Sequence, residues 1–259
     1  MSLLLIKIAL TSFSIIILGY IADRGNPRLA GILTGFPIGT AIVASFIAIE
    51  NGPLIASEAS LYSLAALSLN PVFAYSYYIF GSKIAEDFNY KTTLSLALVI
   101  YFIMAIMIAN IPWSFTAAVI FLLCTAIFVN YFLNKIESNQ KQRPVKITPI
   151  ILFVRIMLAS NIVIIVTNMV ELVGPEWAGV FTPFPVTLVP LIAILHSTYG
   201  KEAAFSMIKG FGYSFLSTGI YLASITHFFP TLGIITSSLI GFLLAGFYLV
   251  GLEVNKRSI

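Results

Sequence analysis

The sequence is short of charge. Of 259 residues, 14 are Lys or Arg, 10 are Asp or Glu and two are His, so charged side chains make up 9% of the chain. A soluble domain carries about 25%, and a chain this poor in charge cannot cover a water-facing surface. With 59% hydrophobic residues, intrinsic disorder is excluded as well. Cys124 is the only cysteine, which rules out a disulfide scaffold. Cysteine and histidine together are too sparse for a zinc or iron–sulfur site. Asp23 and Asp87 are the only aspartates, so there is no acidic motif for a magnesium-bound diphosphate. A Gly-x-Ser-x-Gly elbow, a His-Glu-x-x-His helix and a Walker A loop are all missing. These absences point away from an enzyme, a resident cofactor and a metal centre. ATP-driven transport would require a separate subunit.

What the chain has is apolar length, with a mean hydropathy of +1.01. A spanning helix takes roughly 20 apolar residues. Nine segments qualify, at roughly 3–22, 29–49, 54–80, 92–110, 114–133, 149–170, 178–198, 201–226 and 230–252. Gly, Pro and Asn mark most of the breaks, including Glu50-Asn-Gly-Pro53 and His227-Phe-Phe-Pro230. Lipid offers no partner to a free backbone group and no strand alternation is visible, so the expected fold is an all-α integral membrane protein with about nine transmembrane helices.

With loops alternating across the bilayer, one side receives Arg24, Arg28, Lys83, Lys91, Lys135, Lys141, Arg143, Lys146, Lys201, Lys256 and Arg257, or 11 of the 14 basic residues. The positive-inside rule then puts the N-terminus outside and the C-terminus in the cytoplasm of a cell (inner) membrane. The net charge of +4 is thereby a matter of topology and not a nucleic-acid patch.

The chain repeats itself. Shifted by 148 residues, positions 3–38 lie on 151–186 without a gap, with 12 of 36 identical. The informative matches are Pro27/Pro175, Ala30/Ala178, Gly31/Gly179, Thr34/Thr182, Phe36/Phe184 and Pro37/Pro185, because Pro and Gly are scarce. Lys7 falls on Arg155 and Asp23 on Glu171. The first segment has an internal counterpart and no basic leader, so it reads as a retained span, not a signal peptide. One copy starts outside and the other in the cytoplasm. The expected organisation is two inverted four-helix repeats, spans 1–4 (residues 1–110) and 6–9 (residues 149–259), joined by a connecting helix and cytoplasmic loop at 111–148. Inverted repeats are a common plan of secondary transporters, with the site near the midplane between them.

The repeated motif reads Leu29-Ala-Gly-Ile-Leu-Thr-Gly-Phe-Pro37 and Trp177-Ala-Gly-Val-Phe-Thr-Pro-Phe-Pro185. Its final Pro is about eight residues, or about 12 Å, into each helix. Pro removes an amide donor and clashes with the preceding turn, so each helix is expected to break there. The next half-helix would begin with free amides that attract anions. Thr34, Phe36, Pro37 and Thr40 in one copy, and Thr182, Phe184, Pro185 and Thr187 in the other, are the candidate solute-binding residues. The same motif would also serve as a packing kink, with Ala-Gly allowing close helix approach.

Ionisable residues inside spans are functional candidates by default. Arg155 heads a polar series with Asn161 and Asn168 and is the preferred solute-binding cation. Lys7 is expected to snorkel to the headgroups. Glu58 and Glu202 are the candidate coupling carboxylates, Glu58 being deeper in an apolar run. Lys209 is a further intramembrane charge that can pair with a carboxylate or face an anion. Asn70-Pro71 interrupts span 3 and can expose carbonyls or simply kink it. His196 and His227 are expected to be solvated near span ends.

The two motif segments resemble the opening of the second helix in GlpM-like membrane proteins, short four-helix inner-membrane chains with a similar Ala-Gly…Phe-Pro stretch after a first apolar helix. The resemblance covers about 36 residues in each half. It implies that each half looks like one such unit, here fused through an extra helix. It implies no substrate and no functional residue, and one member of the family is linked to alginate production. The functional expectation is a secondary transporter of a small anionic or zwitterionic solute, with the bilayer, the solute and a second copy of the chain as partners. The competing expectation is a scaffold or accessory subunit of an envelope biosynthetic complex. A channel would need a continuous polar stripe, which is not seen.

Overall fold

The computed structural model describes residues 3–24, 35–84, 89–136, 149–186, 188–211 and 214–257. Every regular element among them is helical, the form in which a chain satisfies its own backbone without water. In order these are α1 (Leu3–Arg24), α2 (Ile38–Asn51), α3 (Pro53–Ala66) and α4 (Leu69–Ile79), which runs into one π-helical turn at Phe80–Ile84. Then follow α5 (Tyr90–Ala109), α6 (Phe115–Leu133), α7 (Pro149–Val173), α8 (Pro175–Phe181), α9 (Leu188–Tyr199), α10 (Lys201–Phe211) and α11 (Leu216–Arg257).

Local chemistry sets these boundaries. Asn89 and Ser114 cap α5 and α6 by accepting from the amides of Thr92 (3.0 Å) and Ala117 (3.3 Å), each satisfying one of the amides a helix start leaves free. At Gly52-Pro53 and Gly174-Pro175 the glycine has a φ of 91° and 93°, which only glycine adopts without strain. The proline then takes the first helical position, where its missing amide costs nothing.

Four helices among the described residues are long and apolar enough to cross a membrane, Tyr90–Ala109, Phe115–Leu133, Leu152–Val173 and Leu216–Leu252. Their outward faces carry unshielded large side chains. Examples are Val99, Ile103 and Ile106 on α5, Ile120, Leu123 and Ile127 on α6, and Ile235, Leu239 and Leu243 on α11. Spacings of three and four place each set on one helical stripe, the arrangement a lipid-facing surface needs. The molecule is therefore an all-helical protein of membrane type.

Several expected spans arrive in pieces. The segment at 54–80 is divided at Leu67-Ser68, where Pro71 cannot donate back to the carbonyl of Leu67 and the Asn70 amide takes it instead (3.2 Å). The segment at 178–198 is divided between Phe181 and Leu188. The break expected at His227-Phe-Phe-Pro230 falls three residues later. Those residues stay helical, and the chain turns at Gly233, whose φ is 73°. Pro230 is exposed and does not interrupt the helix, whereas the positive φ at the turn needs the glycine.

Small residues make α3 the centre of the bundle. Ala56, Ala59, Ser60, Ser63, Ala65 and Ala66 are all buried, and α3 packs most extensively against α11 and α8. Gly179 of α8 lies so close to α3 that a Cβ there would sit 2.2 Å from the Ala59 carbonyl oxygen. In the second copy the Ala-Gly half of the motif thus acts as a close-packing surface. Around this centre lie the large buried side chains Phe73, Tyr77, Tyr101, Phe215, Tyr221 and Phe229.

Candidate functional site: the two Phe-Pro turns and what holds them

The Phe-Pro half of the motif makes the same turn twice. Ahead of α2, the Ile38 amide bonds the Phe36 carbonyl (2.9 Å) and the Ala41 amide bonds that of Pro37 (2.8 Å). Ahead of α9, the Val186 amide bonds the Phe184 carbonyl (2.7 Å) and the Val189 amide bonds that of Pro185 (3.0 Å). Each pair lies at the 148-residue spacing. A bond from i to i+2 closes a tight reversal, and the helix starts immediately after it. In the second copy the preceding helix, α8, is also described, and it stops at Phe181. There the chain breaks between two helices, as Pro185 led one to expect.

Both turns are held by the opposite half of the chain. Asn70 Nδ2 donates to the Pro183 carbonyl (3.1 Å), and Thr218 Oγ1 donates to the Gly35 carbonyl (3.0 Å). Asn70 and Thr218 are 148 residues apart, and so are Gly35 and Pro183. Two further contacts obey the same spacing. Ser57 Oγ donates to the Thr226 carbonyl, and the rings of their counterparts, Phe205 and Tyr78, meet edge to face at 5.0 Å. The phenylalanines anchor each turn on a late helix of the other half. Phe36 stacks on Phe242 of α11 at 5.5 Å, and Phe184 meets Tyr101 and Phe102 of α5 at 5.3 and 6.0 Å. Gly35 has no room for a side chain, since a Cβ would lie 2.4 Å from the Ser214 carbonyl oxygen.

Of the other candidate residues at the breaks, Pro37 and Pro185 are buried and Thr40 is half-buried in the first turn of α2. The Thr182 hydroxyl is turned back onto its own helix, where it donates to the Ala178 carbonyl (2.9 Å). Thr34 and Thr187 lie outside the described residues, and of Arg155 only the backbone, within α7, is described. Asn161 and Asn168 are exposed, and Asn161 bonds its own helix at Met157 (2.8 Å). The expected polar face of α7 is therefore not turned towards the crossing.

The charged candidates are distributed differently from expectation. Lys7 does not snorkel. It is 4% exposed, pairs with Glu50 at 2.6 Å and bonds Thr167 Oγ1 at 2.6 Å. The Phe46 ring lies beside its ammonium at 5.6 Å. The Thr167 hydroxyl passes its own hydrogen to the Ile164 carbonyl (3.2 Å), which leaves a lone pair for Lys7. Headgroup solvation is thus replaced by a carboxylate, a hydroxyl and an aromatic face. Glu58 lies on an exposed face of α3, not in the interior where proton coupling would use it. Glu202 sits in the first turn of α10, where it complements the helix dipole. Lys209 binds the Ile136 carbonyl just past the end of α6 (3.0 Å), a helix C-cap and not a carboxylate pair. His196 is not merely solvated, because its Nδ1 bonds the hydroxyl of buried Tyr77.

Glu50, Thr167, Thr218 and Tyr101 escaped the reading of the sequence. For Thr218 a signal existed, since it stands 148 residues after Asn70. For the others, nothing local distinguishes them from neighbouring polar or aromatic residues. No group of three or more His, Cys, Asp or Glu side chains that could hold a metal ion occurs among the described residues. No family model, curated protein or solved structure matches the chain.

Proposed function

We propose that this protein is a secondary transporter of a small anionic or zwitterionic solute, built from two inverted four-helix halves around a connecting helix. The observation that carries this reading is the reciprocal pair of hydrogen bonds, Asn70 to Pro183 and Thr218 to Gly35. In a twofold arrangement, if residue i of one half touches residue j of the other, then the counterpart of i touches the counterpart of j. Both bonds, and the Ser57–Thr226 and Phe205–Tyr78 contacts, obey that relation. Inversion is supported independently by Lys7, near the start of α1, which touches Thr167, near the end of α7. The two equivalent first helices thus run past each other head to tail. Glycines of positive φ also recur at the spacing, Gly52 (91°) and Gly200 (86°).

Under this reading the halves cross at their helix breaks. Irregular backbone at membrane depth survives only where protein buries it or a cavity lines it. The starts of α2 and α9 bring amide ends to the crossing, where they attract the negative end of a solute. The nine-span topology, the outside N-terminus and the inner-membrane location belong to the same proposal. Purified protein in liposomes should show saturable exchange of at least one small carboxylate or amino acid. Absence of flux for every solute tested, together with stable co-purification of a biosynthetic enzyme, would establish the scaffold instead.

A further inference from the structure

The two halves bridge their turns with equivalent hydrogen bonds but differ in polarity there. Bridging the halves needs one donor per turn, and on one side Thr218 supplies it from a hydroxyl whose single oxygen is already engaged in that bond. On the other side stands Asn70, whose amide nitrogen must face the Pro183 carbonyl because only nitrogen can donate to it. Its Oδ1 is left buried without a partner. Tyr101 on α5 adds a second such atom. The residue is 0% exposed, and its hydroxyl has no protein partner. The position 148 residues on is Leu249, so the fold does not need a phenol there.

Asn70 and Tyr101 converge on consecutive residues. Asn70 holds Pro183, and the Tyr101 ring meets Phe184 edge to face at 5.3 Å. Phe73, one helical turn beyond Asn70, meets Tyr101 edge to face at 6.5 Å. The Tyr101 Cα is about 17 Å along α5, near the middle of a hydrocarbon core of about 30 Å. Buried polar atoms are rarely left unpaired, because each costs free energy that a fold normally recovers. Two at one helix break, each replaced in the other half by a residue that avoids the cost, mark a place kept polar for a visitor.

We infer that Asn70 Oδ1 and the Tyr101 hydroxyl form a solute subsite that takes a hydrogen-bond donor, an ammonium or hydroxyl group, beside the rings of Phe73 and Phe184. The inference rests on the transporter reading of the crossing and narrows its solute class. The solute is a carboxylate that also carries an amino or hydroxyl group, and a bare carboxylate is discriminated against. The subsite is one-sided, so the two inverted halves contribute unequally to recognition.

Matched probes separate these classes, namely alanine, lactate and propionate, and phenylalanine, phenyllactate and 3-phenylpropionate. Thermal unfolding of the full-length protein in detergent is the readout. The amino or hydroxy members should raise the wild-type Tm more than the bare carboxylates do. Asn70→Thr copies the other half, keeping the bond to Pro183 while removing the spare oxygen, and should erase that difference. Tyr101→Phe should shrink it while raising the ligand-free Tm by about 2–4 °C, as removal of an unpaired buried hydroxyl predicts. A Tyr101→Phe protein less stable than wild type overturns the inference, because the hydroxyl would then be structural. So does a wild type stabilised equally by propionate and alanine, or by no donor-bearing member at all. Donor-dependent binding without flux in liposomes removes the transporter reading and leaves the subsite. Flux indifferent to Asn70→Thr and Tyr101→Phe removes the subsite and leaves the transporter.

Discussion

Gly179→Ala lowers the Tm by about 4–8 °C, although helix propensity alone predicts a gain. Exchanging Gly for Ala inside a helix is worth about 1 kcal/mol in favour of Ala. At Gly179 the added methyl would lie 2.2 Å from the Ala59 carbonyl oxygen, 2.9 Å from Tyr62 Cβ and 3.0 Å from the Ala59 carbonyl carbon. These are the backbone and first side-chain atom of the central helix, and neither can swing away. Separating α8 from α3 would also lengthen the bond from Ser63 Oγ to the Gly179 carbonyl, now 2.8 Å. Overpacking of this kind costs about 1–3 kcal/mol or more. A net loss of about 2 kcal/mol corresponds to that fall in Tm for a chain of this size. Gly246→Ala is the control. It lies in α11 with nothing within 4 Å of the added methyl, so propensity should prevail and the Tm should rise slightly. Differential scanning fluorimetry of the two variants in one detergent reads both signs.

Glu50→Ala is the second large effect, a destabilisation below the about 3–5 kcal/mol of a fully buried pair, because Lys7 is buried but Glu50 stands at the exposed rim. It leaves the Lys7 ammonium, on a residue 4% exposed, with a hydroxyl and an aromatic face in place of a carboxylate. The penalty comes from the uncompensated charge and not from the intrinsic strength of the pair. The double variant Lys7→Met/Glu50→Met should therefore recover most of the loss, since replacing a buried pair by apolar residues is often neutral or better. Failure of the double variant to recover would mean that the pair itself, and not the orphaned charge, stabilises the fold. The arrangement has no twin in the sequence. The positions 148 residues from Lys7, Glu50 and Thr167 are Arg155, Thr198 and Gly19. The counterpart of the carboxylate is thus a neutral threonine, and the counterpart of the Thr167 hydroxyl is a glycine with no side chain. One end of the α1–α7 contact is fastened by a carboxylate with no equivalent 148 residues on.

Much of the crossing could be read in advance because it depends on residues with local consequences. Proline forbids a backbone bond wherever it stands, so Pro37 and Pro185 announced their turns. Glycine beside alanine announces close approach, and Ala178-Gly179 makes it. The spacing of 148 residues carried the correspondence between the halves, which the matching turns at Phe36-Pro37 and Phe184-Pro185 follow. What escaped the reading depends on distant partners. Lys7 and Glu50 are 43 residues apart, and Lys7 and Thr167 are 160 apart. Glu50 looked like a loop residue beside Asn51-Gly52-Pro53, yet α2 continues to Asn51. Glu58 looked deep because its neighbours are apolar, but hydropathy does not say which face of a helix turns inward. Gly233 gave no sign that it, and not Pro230, would carry the turn in α11, since helices tolerate both residues when packing supports them.

The proposed transporter requires that its two Phe-Pro turns be reached alternately from both sides of the membrane. Thr40 stands in the first turn after the Pro37 break. A single cysteine there, in a Cys124→Ser background that removes the exposed native thiol, can be probed with an impermeant maleimide in right-side-out and inside-out vesicles. The account predicts modification from either face, slowed in both orientations by a transported solute. Modification from one face only, or from neither, would contradict it.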